Sequence, residues 1–301
     1  MMPGGFMDTL SRRVLLFDGG MGSMLISAGL KRTELPESWI ETAPDKIRKV
    51  HREYIEAGAD VIQTATFGGS GIKLASSSSG AGLDPSGINR KAASLVRGEI
   101  ERSGKDCFTA GDIGPTGHFF PPVGTLHEEE ALLTFREQAR ALTEGGVDLL
   151  LIETMSDLKE AVTALRASRE VSDLPVVVEL TFQKNPRGYY TIMGNTPEEA
   201  VDTLKREGAD MAGANCTLDS GGMTGLAREM RGLTDLPLLF QPNAGQPVMK
   251  NGQPEYLQEP EDFAADIEEI VRLGADAVGG CCGTDPRFIN LIRKRLSGQR
   301  G

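Results

Sequence analysis

Short aliphatic or β-branched runs recur along the chain, with helix-like segments between them. Eight can be read: "RVLLFDGG" (13–20), "ADVIQTATF" (59–67), "CFTAGDIG" (107–114), "VDLLLIET" (147–154), "LPVVVELTF" (174–182), "ADMAGANC" (209–216), "LPLLFQPNAG" (236–245) and "ADAVGGCC" (275–282). Several lack polar alternation, as parallel strands buried on both faces do. Between them, "ALLTFREQARAL" sets Leu132, Phe135, Ala139 and Leu142 on one helical face. The junctions "EAGADV", "EGGVDLL", "REGADM" and "RLGADA" each place a glycine before a strand, where positive φ ends a helix. "NTPEEA" predicts a capping box of Thr196 and Glu199, with Pro197 in the first turn. Eight strand–helix units in 301 residues predict an α/β fold, a single (β/α)8 TIM barrel over residues 1–301. An open doubly wound sheet is the alternative. Residues 1–12 read as a loose N-terminal extension, and "ASSSSGAG" (75–82) as a flexible polar surface loop without function.

Composition narrows the partners. A net charge of −11 disfavours nucleic acid and anionic membranes. No apolar stretch approaches the roughly 20 residues of a membrane span. The apolar run after the two N-terminal arginines is too short for a signal peptide. A cytoplasmic protein is expected, in which thiols stay reduced. Adjacent cysteines in that setting point to metal or redox chemistry.

The strand ends carry the candidate chemistry, because barrel enzymes act at the C-terminal ends of their strands. In order these ends are Asp18, Thr66, Asp112, Glu153, Thr181, Cys216, Asn243 and the pair Cys281–Cys282. Three of the 4 cysteines thus meet at one mouth. Cys107 opens the third strand at the other end and reads as a small buried hydrophobe. Adjacent strand residues point to opposite faces, so Cys281 and Cys282 can share one ion only if the chain leaves strand geometry there. Gly279, Gly280 and Gly283 permit that. Three thiolates with an open fourth position have the layout of a catalytic zinc site. A redox pair and inert buried thiols are the competing readings. His51 is expected to be solvated or packed on its helix, and His118 and His127 to be loop residues. No lysine ends a strand, which weighs against a Schiff-base aldolase.

Taken together, "DGGMGS" (18–23), "GDIGPTG" (111–117), "ETMSD" (153–157), "GANC" (213–216), "QPNAGQP" (241–247) and "GGCCGT" (279–284) resemble the homocysteine S-methyltransferase family. The likeness runs from about Val14 to the last helix. It is greatest to the homocysteine-binding module of cobalamin-dependent methionine synthase. The resemblance implies one Zn2+ per chain on Cys216, Cys281 and Cys282, which are then also the catalytic residues. It implies amino-acid contacts from Asp18 and Glu153 and from backbone at Gly19 and Gly20, with Thr66 a further candidate. Asn243 would hold or border the fourth metal position. Both acids suit an ammonium group, and both also suit the capping of loop N–H groups.

The implied reaction is methylation of homocysteine, bound as a zinc thiolate, to give methionine. The donor is expected to be methylcobalamin on a separate corrinoid protein, since this chain shows no cobalamin motif of its own. A small onium donor (S-methylmethionine or betaine), one module of a longer chain, and a non-catalytic zinc or redox protein remain alternatives. Two departures bear on donor docking or on the acceptor thiol. Ala65 stands in "TATFGG" where the family often has asparagine, and Tyr189 and Tyr190 follow the fifth strand.

Overall fold

The computed structural model describes residues 5–31, 33–250 and 253–298. Eight parallel strands form one sheet: β1 (Leu15–Leu16), β2 (Val61–Gln63), β3 (Phe108–Ile113), β4 (Leu149–Met155), β5 (Val176–Leu180), β6 (Met211–Asp219), β7 (Leu238–Asn243) and β8 (Ala277–Val278). Their spatial order is β1-β8-β7-β6-β5-β4-β3-β2. A parallel bridge from Phe17 to Val61, with Asp18 N–H on Val61 O at 3.0 Å, joins β1 to β2 and closes the barrel. Two further antiparallel strand pairs, 183–185 with 188–190 and 248–250 with 253–255, lie in the loops after β5 and β7.

Apolar residues fill both sides of the sheet, as the unbroken runs required. One cluster packs helices against the outer face, and a second fills the interior with Leu15, Phe17, Phe108, Leu151, Val177 and Leu239 among others. In the helix Glu128–Glu144, Phe135, Ala139 and Leu142 are buried and Leu132 packs at the edge. The capping box at Thr196 forms with both of its bonds. Gly58, Gly146, Gly208 and Gly274 all have positive φ, as the four junctions predicted.

The aspartate two residues beyond each of these glycines has a role that the sequence pattern did not disclose. Asp60, Asp148, Asp210 and Asp276 accept N–H bonds of 2.7–2.9 Å from Leu16, Thr109, Val176 and Leu238, at or beside the start of a neighbouring strand. Three of them also hold arginines: Arg13 and Arg293 on Asp60, Arg169 on Asp210, and Arg231 on Asp276. These acids clamp the N-terminal rim of the barrel.

Two expectations need correction. Residues 6–10 are not a loose extension: they form a helix whose Phe6 and Leu10 are buried in the interior cluster. The Phe6 ring meets Phe17 and Phe108 edge-on, at 6.4 and 5.6 Å. An apolar interior open at its base would be wet, and this short helix seals it. Residues 1–4 lie outside the described residues. Phe6→Ala is therefore expected to cost about 3 kcal/mol in urea unfolding, the low end for a buried aromatic, without changing the distant mouth. The serine-rich segment is likewise not free filler. Ser79 Oγ accepts the Leu35 N–H at 2.8 Å, and Gly80 is buried against Leu74 and Leu35. It thereby anchors the loop after β1. His51 is fully buried on its helix rather than solvated, and burial pulls its pKa down to about 4.

Above the apolar tier the interior turns polar. Two residues beyond the inward-facing Val61, Ala110, Leu151, Val177 and Leu239 stand Gln63, Asp112, Glu153, Glu179 and Gln241. Asn215 on β6 completes this tier, and all six are buried. Glu179 has no partner at either oxygen, and burial, then the charge of Glu153, pushes its carboxyl well above the usual range. The folded chain thus holds this proton more tightly than the unfolded chain, so the contribution of Glu179 to stability falls as pH rises above about 4.5. Glu179→Gln should gain stability over wild type progressively from pH 5 to pH 8 in chemical denaturation. A constant difference across that range would show that Glu179 is ionised in the fold.

Candidate metal centre

The centre begins where β6 breaks its own alternation. Cys216 and Thr217 have φ of 54° and 55°, a left-handed conformation that costs a non-glycine residue on the order of 1–2 kcal/mol. The pairing of β6 with β7 slips at the same place, from Asn215↔Gln241 to Asp219↔Asn243. Thr154, at the end of β4, is also left-handed, with φ of 58°. Asn215 ties the two distortions together. Its Nδ2 donates to Glu153 Oε2 and to Thr154 Oγ1, both at 2.8 Å, and its Oδ1 accepts Thr154 N–H at 2.9 Å. Such strain persists only where surrounding bonds over-determine it, and it concentrates at functional sites.

The chain leaves strand geometry after Val278. Gly280 N–H bonds Asp18 O, Cys281 N–H bonds Pro242 O at 2.8 Å, and Cys282 N–H bonds Asn243 Oδ1 at 3.1 Å. The glycines serve different needs. A Cβ on Gly280 would lie 2.4 Å from Thr284 Oγ1, so its role is close approach. Gly283, at φ of 82°, supplies the turn. The result brings the sulfurs of Cys216, Cys281 and Cys282 within 4.8 Å of one another.

That spacing suits a shared ion. Zinc–sulfur bonds of about 2.3 Å in a tetrahedron put sulfurs about 3.8 Å apart, and thiolates are the donors zinc prefers. Among themselves the thiols share charge unequally. Hydrogen bonds from Cys281 and Cys282 pull the Cys216 thiol down to about 3, and the bonds to Cys216 push the other two up. A dication would take the place of those two retained protons, so the residues fit a metal.

A cavity of about 280 Å³ opens beside the sulfurs, bounded by Gly19, Gly20, Glu37, Asp112, Glu153 and Thr154. Glu153 is buried and reaches the cavity. Burial first, and then the charge on Cys216, raises its pKa to about 8. Gly19 and Gly20 bring bare backbone to the wall: a Cβ on Gly19 would meet Thr284 Oγ1 at 2.6 Å, and one on Gly20 would meet Cys281 O at 2.7 Å.

The other sequence candidates stand back from it. Asp18 is buried behind Gly19, accepting Gln63 N–H at 3.1 Å with Oδ2 while Oδ1 has no partner. Thr66 donates to Asp112 O at 2.7 Å and braces the ends of β2 and β3. Asn243 joins two cysteine segments, its Oδ1 on Cys282 N–H and its side chain against the Cys216 sulfur. Cys107 lies at the opposite end, its thiol on Ala59 O at 3.3 Å. His118 and His127 are exposed and outside the cluster.

Sequence reasoning missed Glu37. It lies in "ELPESW" after β1, with no spacing to mark it. Its Oε1 accepts Gly68 N–H at 2.5 Å, and its Oε2 has no partner. Asp112 was visible as a strand end but received no role, although it borders the cavity with Oδ1 unpartnered. Among the described residues, no lysine or arginine lines this cavity. Its carboxyls therefore face a space that favours positive charge.

Fold and site together define a (β/α)8 barrel with a three-cysteine cluster, able to hold a metal ion, at the C-terminal mouth of its strands. The chain belongs to the homocysteine S-methyltransferase family, whose model matches residues 15–296. It is 31% identical over 301 residues to methionine synthase of Mycobacterium tuberculosis, covering 95% of this chain and 25% of that protein. It is 30% identical over 299 residues to methionine synthase of Mycobacterium leprae, covering 95% and 24%. The chain thus spans about a quarter of the length of the curated relatives it matches. Among solved structures, the metallated form of the Escherichia coli homocysteine methyltransferase MmuM is similar in fold, with a TM-score of 0.79 at 23% identity, covering 96% of this chain and 98% of that one. Among the described residues, no helix is long and apolar enough to cross a membrane.

Proposed function

We propose that this chain holds zinc on Cys216, Cys281 and Cys282 and methylates the sulfur of homocysteine to give methionine. The observation that carries the reading is three mutually close sulfurs beside a buried, acid-walled cavity whose described residues include no cationic side chain. Bound zinc would supply the Lewis acidity that deprotonates a thiol near neutral pH, where free thiols are mostly protonated. The protein's residues do the rest. Asn215 occupies one oxygen of Glu153, which leaves the other to receive the substrate ammonium. The bare backbone at Gly19 and Gly20 lets an amino acid lie close to the wall. The buried walls exclude water and hold the sulfur in line for attack on a methyl group. A cytoplasmic location suits four cysteines that are all free.

A methyl-corrinoid protein docking at the mouth is the favoured donor, supported by motifs resembling the cobalamin-dependent module and by relatives named methionine synthase. A second reading is favoured by Glu37 and Asp112: their unpartnered oxygens suit a small onium donor such as S-methylmethionine. Assays with homocysteine and methylcobalamin, S-methylmethionine or betaine decide between them. Much higher activity with either onium compound would reverse the choice. Homocysteine binding is expected to release about one proton near pH 7, read by calorimetry in buffers of different ionisation enthalpy. Binding without proton release would mean that the thiol does not reach the metal.

A further inference from the structure

The N-terminal rim of the barrel holds a cavity of about 540 Å³ that the proposed reaction does not use. Arg12 and Arg13 enter it from ahead of β1, Asp60 from ahead of β2, and Arg293 from the last helix, Pro286–Gly298. Among its described lining residues, three guanidiniums against one carboxylate leave two positive charges, in a chain whose net charge is −11. Asp60 fixes two of the three cations. Arg13 donates to it with both Nη atoms, at 2.8 and 2.9 Å. Arg293 also bonds Asp60, and its Nε donates to Gly58 O at 2.8 Å. Among the described residues, Arg13 Nε and Arg293 Nη1 are left without a hydrogen bond. The exposed guanidinium of Arg12 has neither a hydrogen bond nor an ion pair among those residues.

A clamp on Asp60 accounts for Arg13 and Arg293, but it gives Arg12 no partner and leaves the cavity cationic. Planar guanidiniums match phosphate oxygens with paired N–H donors, and two of these are already held in place. A phosphate monoester carries about −1.5 to −2 charge at neutral pH, close to what the cavity leaves uncompensated. The volume falls in the range of small-molecule sites, roughly 300–1,000 Å³, and Val14, Val271 and Leu296 offer an apolar wall to an organic body. We propose that this cavity binds an organic phosphate monoester, with its phosphate on Arg12, Arg13 and Arg293 and its body against the apolar wall. Such a ligand ties the segment after the plugging helix Phe6–Leu10 to the last helix, at the end of the barrel remote from the sulfurs. The site stands independently of the metal reading.

Titration calorimetry of the purified chain at low ionic strength tests this, with phenyl phosphate as the probe. Phenyl phosphate should bind at a single site. Inorganic phosphate should bind at least about tenfold more weakly, because it leaves the apolar wall uncovered. Arg12→Gln should weaken phenyl phosphate on the order of tenfold, the scale of a hydrogen bond between charged groups, without moving the urea unfolding midpoint. Arg293→Lys keeps the charge and loses the fork, and should weaken it similarly. Arg287→Gln, at the other end of the same helix and paired with Asp285, should match wild type. Absence of phenyl phosphate binding overturns the proposal. Full affinity in both Arg12→Gln and Arg293→Lys puts the anion elsewhere and overturns it as well. Equal affinity for the two phosphates overturns an organic ester as the ligand.

Discussion

Alanine at Cys216, Cys281 or Cys282 is expected to abolish both zinc binding and turnover. Each sulfur is one of three within 4.8 Å, and no fourth cysteine, histidine or acid joins them among the described residues. Loss of one leaves two ligands, too few for the three-ligand catalytic layout. The fall in affinity should exceed the roughly 10–100-fold typical of losing an outer partner of a metal ligand. Cys216→Ala has an added signature. The left-handed backbone at residues 216 and 217 no longer serves a ligand, so the variant keeps the strain without its use. Cys107→Ala should change neither metal content nor activity, because that thiol lies at the other end of the barrel. Elemental analysis of purified variants, with methyl-transfer rates, checks the set. Full zinc occupancy in Cys216→Ala would remove β6 from the centre.

Glu153→Gln is expected to weaken homocysteine binding strongly while leaving zinc content unchanged. Glu153 projects from an apolar strand into the polar tier, is buried, and has one oxygen held by Asn215. The amide keeps the shape and can still accept the Asn215 bond, so the fold should survive. Burial raises the Glu153 pKa to about 8, and a bound ammonium beside it draws the proton off, so the amide leaves a desolvated ammonium without its counter-ion, a loss of about 2–5 kcal/mol, or roughly 30-fold to several thousandfold in affinity. A thiol of similar length without the amino group should bind both proteins alike. Equal weakening of both thiols would make Glu153 a brace for β4, and the ammonium would then be held elsewhere, with Asp18 and the Gly19–Gly20 segment the first candidates.

The barrel was legible because its evidence is repetitive: apolar runs without alternation, and a glycine before each of four strands. The cysteine centre was legible because three thiols ended two nearby strands. Individual strand ends were less informative. The runs read as 13–20 and 275–282 contain ladders of only two residues each, Leu15–Leu16 and Ala277–Val278. Beyond them the backbone abandons strand geometry, so alternation no longer says where a side chain points. Asp18, Thr66 and Asn243 are polar ends of apolar strands yet stand behind the cavity wall, while Glu37 enters from a loop with no periodicity. The Tyr189 that departs from the resembling pattern is buried, its hydroxyl on Gly222 O at 3.2 Å at the start of the helix Ser220–Leu233. Packing of that sort leaves no trace in spacing. The helix of residues 6–10 was misread because five residues are too few for a periodic signal.

The sealed base fixes where any attachment begins. The helix Phe6–Leu10 plugs the N-terminal end of the barrel, and Arg293, on the last helix Pro286–Gly298, bonds Gly58 O and Asp60 on that same rim. Both ends of the described chain therefore emerge on the face opposite the sulfurs. A tag, a surface tether or a fused module joined at either end starts one barrel height from the mouth. The helix Pro85–Ser103, 19 residues long, measures that height as about 28 Å at 1.5 Å per residue. A linker meant to bring a methyl-carrying module round to the cavity needs at least about eight extended residues before it turns inward. Immobilisation through either end, by the same geometry, leaves the mouth facing solution.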